Sequence, residues 1–172
     1  KNRVKEERLG LRKIKKSFNL NHCVNTQRPG CSFFISKELV NLYKENIDFT
    51  IPHDNLLWHI ASLQGRVWHL NRVTMKYRRH DTNASNKKKN CRQKRLEAIQ
   101  EQIRNIEYMI NISEGCKEKK FFLRQKIVFE NRLKNLKEKN MIKLILSVKN
   151  INYYYTLRLY FVDIYYSLRG EI

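Results

Sequence analysis

One long stretch, residues 28–85, constrains the fold of this chain more than any other part. It is the only long part that is neither lysine-rich nor plainly helical. Its apolar and turn-forming residues predict three strands and two helices. The strands are expected over residues 30–35, 67–70 and 73–77, and the helices over residues 36–46 and 54–64. The stretch therefore predicts an α+β fold, in which a small sheet packs with two helices.

The two predicted helices have recognisable ends. Ser36 suits an N-cap, and Glu38 lies in the first turn, where a negative charge is favoured. Residues 49–52 are expected to be extended, because the residue before Pro52 avoids the helical region. The second helix follows this proline, and Gly65 suits the position just past its C-terminal end.

Apolar residues at helical spacing dominate the chain after residue 95. Intervals of 3, 4, 3 and 4 residues predict an amphipathic helix that presents Leu96, Ile99, Ile103, Ile106 and Ile110 on one face. Residues 113–115 (Ser-Glu-Gly) interrupt this pattern. A second helical pattern then contains Phe122, Phe129, Leu133 and Leu136. An antiparallel helical hairpin is expected.

The segment 141–168 is dense in Ile, Leu and Tyr, but four charged residues interrupt it: Lys143, Lys149, Arg158 and Asp163. It is too polar to span a bilayer. One interpretation is a packed helix pair with tyrosines at its rim. The other is a segment that lies in a membrane interface, with its rings at headgroup depth and its cations toward phosphate.

The net charge of +20 is concentrated at the two ends of the 172-residue chain. Residues 1–28 have a net charge of +7, residues 29–85 of +2 and residues 86–172 of +11. Cationic flanks favour a polyanion, which is nucleic acid, an anionic bilayer surface or a phosphate-bearing ligand. The four cysteines show no C-x-x-C pairing, so neither a zinc site nor a disulfide framework is predicted.

Four blocks of the central stretch, in order, resemble family 2 glycosyltransferases. They are residues 30–34 (Gly-Cys-Ser-Phe-Phe), 51–54 (Ile-Pro-His-Asp), 61–67 (Ala-Ser-Leu-Gln-Gly-Arg-Val) and 77–85 (Tyr-Arg-Arg-His-Asp-Thr-Asn-Ala-Ser). The resemblance is to the C-terminal half of the catalytic domain, in enzymes that build rhamnose-containing and capsular polysaccharides of the bacterial cell envelope. It implies the C-terminal half of a nucleotide-sugar-dependent α/β fold, followed by an α-helical tail.

Three segments follow from this resemblance. They are a basic lead-in at residues 1–28, the acceptor-side part of the catalytic domain at residues 29–86, and a helical region at residues 87–172. The donor-side half of the family, with its Asp-x-Asp metal motif, has no counterpart, since this chain contains no Asp-x-Asp. The chain is therefore expected to be a fragment that is inactive alone.

The resemblance implies that Asp54 is the general base, which takes a proton from the acceptor hydroxyl as that hydroxyl attacks the anomeric carbon. The alternative is that Asp54 merely caps the helix that follows it, because Asp is a preferred cap. Both roles are compatible only if one carboxylate oxygen remains open. The resemblance also implies that Gly30, Cys31 and His53 line the acceptor site, although each has an ordinary structural explanation.

Two residues of the last block are expected near the donor. The resemblance implies that His80 binds a divalent metal, Mg or Mn, or contacts the diphosphate, and that Arg78 contacts the diphosphate. For His80 the alternative is a solvated loop histidine. Arg79 is a further candidate, but side chains alternate along a strand, so one of the two arginines is expected to point inward.

The resemblance predicts a sugar transferase that uses a nucleotide-sugar donor and a glycan or lipid-linked acceptor. It is expected in the cytoplasm, peripheral at the inner face of the membrane. The main alternative is a basic nucleic-acid-binding module, with the cluster at residues 87–89, Arg92, Lys94 and Arg95 on phosphates. No helix-turn-helix, zinc-finger or RNA-recognition signature supports it. A helical adaptor made of residues 96–168 would leave the central blocks unexplained.

Overall fold

The computed structural model describes residues 11–13, 20–26, 30–70 and 91–168. The chain divides into two compact units, residues 1–80 and 81–172. The division lies near the predicted boundary at residues 86 and 87. Each unit is helical in its described residues, and each is treated separately below.

The described residues of the first unit form three α-helices: α1 Asn21–Val24, α2 Lys37–Glu45 and α3 His53–Leu63. Helix α3 forms its centre, because seven of its eleven residues are buried. A helix that is apolar on most sides is typical of a core position. Helix α1 packs on α3 and supplies Cys23 and Val24 to the core.

The ends of α2 and α3 are those the sequence predicts. The Ser36 hydroxyl accepts a hydrogen bond from the backbone N–H of Leu39, which caps α2 as expected. Helix α3 begins at His53, directly after Pro52, and ends at Leu63. Gly65 follows with a φ of 66°, the left-handed conformation that glycine adopts without a steric penalty.

The buried strand predicted over residues 30–35 is wrong. Residues Gly30–Ser32 form a short 3-10 helix, and the next four residues have no regular structure. Phe34 is 92% exposed and Ile35 is 46% exposed. Only Phe33 packs inward, stacking on Trp58 of α3 with ring centroids 6.2 Å apart. Alternate side chains are therefore not divided between a core face and a solvent face, which a half-buried strand would require.

The predicted α+β class is wrong as well, because the protein is all-α. The extended pairing among the described residues is one antiparallel ladder of three residues, β1 Leu11–Lys13 with β2 Trp68–Leu70. It pairs Leu11 with Leu70 and Lys13 with Trp68. A ladder of this length does not form a sheet layer that could cover a core. The strand predicted over residues 73–77 lies outside the described residues.

Residues 91–168, the described part of the second unit, form four α-helices: α4 Cys91–Ile112, α5 Lys119–Lys137, α6 Met141–Leu146 and α7 Leu157–Leu168. A 3-10 helix, Ser147–Tyr153, joins the last two. Helices α4 and α5 form the predicted hairpin, and Gly115 turns between them with a φ of 73°. The pairing is antiparallel, because Lys126 meets Glu107 near the turn while Arg92 reaches Leu136 and Lys137 at the open end.

The core of the second unit comes from the predicted apolar faces. Ile99 and Ile106 of α4 and Phe122, Phe129 and Leu136 of α5 are fully buried. Three charged residues join this core: Arg95 of α4, Arg132 of α5 and Asp163 of α7. Across the described part of both units, no helix is long and apolar enough to cross a bilayer.

Candidate active site

The predicted base, Asp54, lies at the second position of α3. Helix α3 starts here because Pro52 fixes its own φ and cannot continue a helix on its N-terminal side. The N-cap residue is Pro52, which has no side chain that can accept a hydrogen bond. The free N–H groups of this first turn therefore face the Asp54 carboxylate and the solvent.

The two oxygens of Asp54 have different surroundings. Oδ1 accepts a hydrogen bond of 3.0 Å from the backbone N–H of Asn55. Oδ2 has no hydrogen-bond donor among the described residues, and the side chain is only partly buried. One oxygen thus contributes to the helix start, while the other takes no part in that bond. The structural and chemical roles of Asp54 are compatible in this geometry.

Gly30 lies directly against this carboxylate. A Cβ atom placed on Gly30 would lie 2.6 Å from Cβ of Asp54 and 3.3 Å from its Oδ2. Contacts between Cβ atoms this short do not occur in proteins, so the Asp54 side chain requires glycine at residue 30. The first two family-like blocks, which are separated by some twenty residues of sequence, therefore meet at one place.

The other two predicted acceptor residues lie beside this contact. Cys31 follows Gly30 in the 3-10 helix with an exposed side chain, and His53 precedes Asp54 in α3 and is also exposed. Neither residue has a hydrogen bond to Asp54 in the described structure. The structure thus brings Gly30 and Asp54 into contact and leaves Cys31 and His53 at the exposed edge of the same surface.

Two residues that the sequence prediction missed hold the start of α3 in place. The Thr26 hydroxyl donates a hydrogen bond to Oδ1 of Asn55, the residue next to Asp54. The Trp58 indole donates one of 2.5 Å to the His22 carbonyl, which ties α3 to α1. Thr26 and Asn55 are 29 residues apart in the sequence, and no local pattern marks them as partners.

His59 and Trp58 serve the core of the first unit. His59 is fully buried, and its Nδ1 lies 2.6 Å from the Cys23 carbonyl oxygen. That distance fits a hydrogen bond in which Nδ1 is the donor. Trp58 is 5% exposed. Both side chains therefore stabilise helix α3, which carries Asp54, through ordinary core packing.

The predicted donor residues Arg78 and His80, together with Arg79, lie outside the described residues. The described part of the chain contains no group of three His, Cys, Asp or Glu side chains placed to hold a metal ion. At the site itself it supplies the single carboxylate of Asp54.

Part of the basic cluster that the nucleic-acid alternative requires binds groups of the second unit itself. Arg95 is 9% exposed and its Nε lies 2.6 Å from Asp163. Arg92 donates hydrogen bonds of 3.2 and 3.3 Å to the carbonyls of Leu136 and Lys137. Lys94 is exposed, whereas residues 87–89 lie outside the described range. Two of the three described cations in this cluster thus bind protein groups.

The chain matches no protein-family model, no curated protein and no solved structure. The case for a glycosyltransferase therefore depends on the four sequence blocks and on the contact between two of them.

Proposed function

We propose that this chain is the acceptor-side half of an inverting glycosyltransferase of the family 2 type, with Asp54 as its general base. The observation that supports the proposal is the contact of Gly30 with Asp54, together with the partial exposure of the Asp54 side chain. Two sequence blocks that the family resemblance assigns to one acceptor site are adjacent in space.

In the proposed reaction, Oδ2 of Asp54 accepts the proton of an acceptor hydroxyl while the hydroxyl oxygen bonds to the anomeric carbon of the donor. The bond from that carbon to the nucleoside diphosphate breaks, and the diphosphate leaves with the electron pair. Attack from the side opposite the leaving group inverts the anomeric configuration. A divalent metal, when bound, would neutralise charge on the departing diphosphate, and His80 and Arg78 remain the proposed contacts there.

The donor is proposed to be a nucleotide sugar and the acceptor a glycan or a lipid-linked sugar. We place the reaction in the cytoplasm at the inner face of the cell membrane. Nucleotide sugars are made in the cytoplasm, and a lipid-linked acceptor is confined to the bilayer. The product would enter polysaccharide synthesis for the cell envelope.

The test is turnover of the protein as it is encoded, together with whatever sequence precedes Lys1. Candidate donors are dTDP-rhamnose and UDP-hexoses, with bacterial membrane lipid as acceptor and release of nucleoside diphosphate as the readout. Asp54→Asn should lower kcat by roughly 10²–10⁴ without changing donor binding, because the proton acceptor is lost. Asp48→Asn, in an exposed turn of the same unit, is the matched control and should leave kcat unchanged.

Two results would refute the proposal in different ways. Full turnover by Asp54→Asn would remove Asp54 from the mechanism while leaving the reaction class intact. Absence of sugar transfer from every donor, in the complete protein, would remove the reaction class.

A further inference from the structure

The last two helices of the second unit expose an unusual amount of apolar surface. On α7, four side chains at residue intervals of 4, 4 and 3 lie along one face, since a helix has about 3.6 residues per turn. They are Leu157, Phe161, Tyr165 and Leu168, and each is between 46% and 60% exposed. We call these four residues the apolar stripe. Exposed apolar groups arranged in this way mark an interaction site.

Helix α6 and the 3-10 helix after it extend this exposed surface. Ile142 is 73% exposed and Leu146 is 62% exposed, while Leu144 on the opposite side of α6 is buried. The Tyr160 hydroxyl of α7 donates a hydrogen bond of 2.8 Å to the Ile145 carbonyl, which holds α6 and α7 together. The two helices that carry these exposed side chains are therefore neighbours in the unit.

The exposed charges of this region are all positive. Lys143, Lys149 and Arg158 are exposed, and the one acidic residue between Met141 and Leu168 is Asp163. Asp163 is 1% exposed and is bound by Arg95 and Arg132 in the core. Residues 141–168 therefore present exposed cations without an exposed carboxylate of their own. Its electrostatic complement is an anionic surface.

Cations that border an apolar helix face are typical of segments that lie in a membrane interface. On α7, Arg158 follows Leu157 by one residue and so lies at the border of the apolar stripe rather than within it. A long cationic side chain in that position can reach lipid phosphate while its neighbours enter the acyl region. Tyr165 in the stripe has a ring and a hydroxyl group, which suit the headgroup depth.

We propose that the apolar stripe, with Ile142 and Leu146, inserts into the interface of an anionic bilayer, where Lys143, Lys149 and Arg158 contact lipid phosphate. The inference does not require sugar transfer. It assigns a lipid surface as the partner of the second unit, whatever the first unit catalyses.

The test is flotation of the full chain with two kinds of vesicle, one of phosphatidylcholine alone and one that also contains phosphatidylglycerol. We expect binding to the anionic vesicles that weakens as salt rises. The pair Leu157→Ser and Phe161→Ser should lower the partition coefficient about tenfold or more, because two apolar side chains no longer enter the lipid. Replacing Lys143, Lys149 and Arg158 by Gln should lower it by about fivefold for each cation.

The matched control is Phe49→Ser, which removes a 95% exposed aromatic ring from the first unit. It should leave vesicle binding unchanged. All substituted side chains are exposed, and circular dichroism should show unchanged helix content in each variant. Neither donor nor acceptor is present in this assay, so its outcome is independent of the proposed catalysis.

Three outcomes would overturn the inference. Equal binding to both kinds of vesicle would exclude anionic lipid as the partner. Salt-sensitive binding that survives Leu157→Ser and Phe161→Ser would reduce the effect to general attraction by a cationic protein. Absence of vesicle binding, with a dimer in light scattering that Phe161→Ser dissociates, would identify the stripe as a contact between two copies of the chain.

Discussion

Replacement of Asp163 by Asn should strongly destabilise the second unit. Oδ1 of Asp163 lies 2.6 Å from Nε of Arg95, and Oδ2 lies 2.8 Å from Nε of Arg132. The side chains of Asp163 and Arg132 are each 1% exposed, and that of Arg95 is 10% exposed. The substitution keeps the shape of residue 163 but removes its negative charge, so two guanidinium groups lose their counter-charge.

The expected cost follows from this burial. Removal of one partner from a buried ion pair costs about 3–5 kcal/mol. Burial already lowers the pKa of Arg132, and the nearby Asp163 carboxylate opposes that effect. The rings of Phe129 and Tyr154 lie 4.5 and 4.1 Å from the Arg132 guanidinium carbon and supply the rest of its environment. They stabilise a cation by only about 0.5–2 kcal/mol, so they cannot replace the carboxylate.

A unit of this size has a stability of roughly 5–15 kcal/mol, so the loss is a large part of the total. The midpoint temperature should fall by about 12 °C or more, since 1 kcal/mol corresponds to about 4–8 °C in a small domain. Urea unfolding monitored by circular dichroism measures the change. The control is Glu114→Gln, which removes an ion pair with Lys119 from a carboxylate that is 82% exposed.

The control should cost less than about 1 kcal/mol, because water screens an exposed pair. Equal losses for Asp163→Asn and Glu114→Gln would show that burial does not amplify this interaction and would refute the reasoning. A triple replacement of Asp163, Arg95 and Arg132 by apolar residues of similar size should recover much of the lost stability, because no unpaired charge then remains.

Three further predictions concern other parts of the protein. Hydrogen bonds from the side chain and the backbone N–H of Thr50 lower the pKa of Asp48. At pH values above the ordinary aspartate pKa of about 4, these hydrogen bonds should therefore stabilise the turn at Asp48, and the stabilisation should be lost as the pH falls through the lowered pKa. In an NMR titration, Thr50→Val should raise the pKa of Asp48, whereas Thr50→Ser should not. Ile99→Ala should destabilise the second unit by about 2–5 kcal/mol in urea unfolding, because the side chain is completely buried. Gly30→Ala should displace the Asp54 side chain and reduce any turnover that depends on Asp54, with the chemical shifts of Asp54 as an independent readout.

Local rules predicted the helices well because their signals are local. Each signal depends on residues within one or two helical turns: the cap at Ser36, the proline before His53 and the apolar spacing through Ile99 and Ile106. The same rules failed over residues 30–35, where a run of apolar residues suggested a buried strand. Burial there depends on which neighbouring element covers the side chains, and most of Phe34 remains exposed.

The charged core of the second unit could not be predicted from local patterns. Arg95 is 68 residues from Asp163, and Arg132 is 31 residues from it. In the sequence, Arg95 belongs to a basic cluster and Asp163 interrupts an apolar segment, and neither context indicates a buried partner. The three residues form a buried cluster only because α4, α5 and α7 pack together. The contact of Gly30 with Asp54 has the same origin, since it depends on how a 3-10 helix meets the start of α3.

The position of Asp163 in the last helix has a consequence for the order in which the second unit matures during synthesis. The α4–α5 hairpin has contacts that are close in sequence, and helical structures of this kind form quickly. Its two guanidinium groups would repel each other in that early hairpin. Asp163, which neutralises both groups, leaves the ribosome about thirty residues after Arg132. A nascent chain that ends before α7 should therefore contain a hairpin that the repulsion between its two arginines keeps loosely packed. Helix α7 would then complete the packing of the unit, because it supplies the carboxylate that both arginines bind.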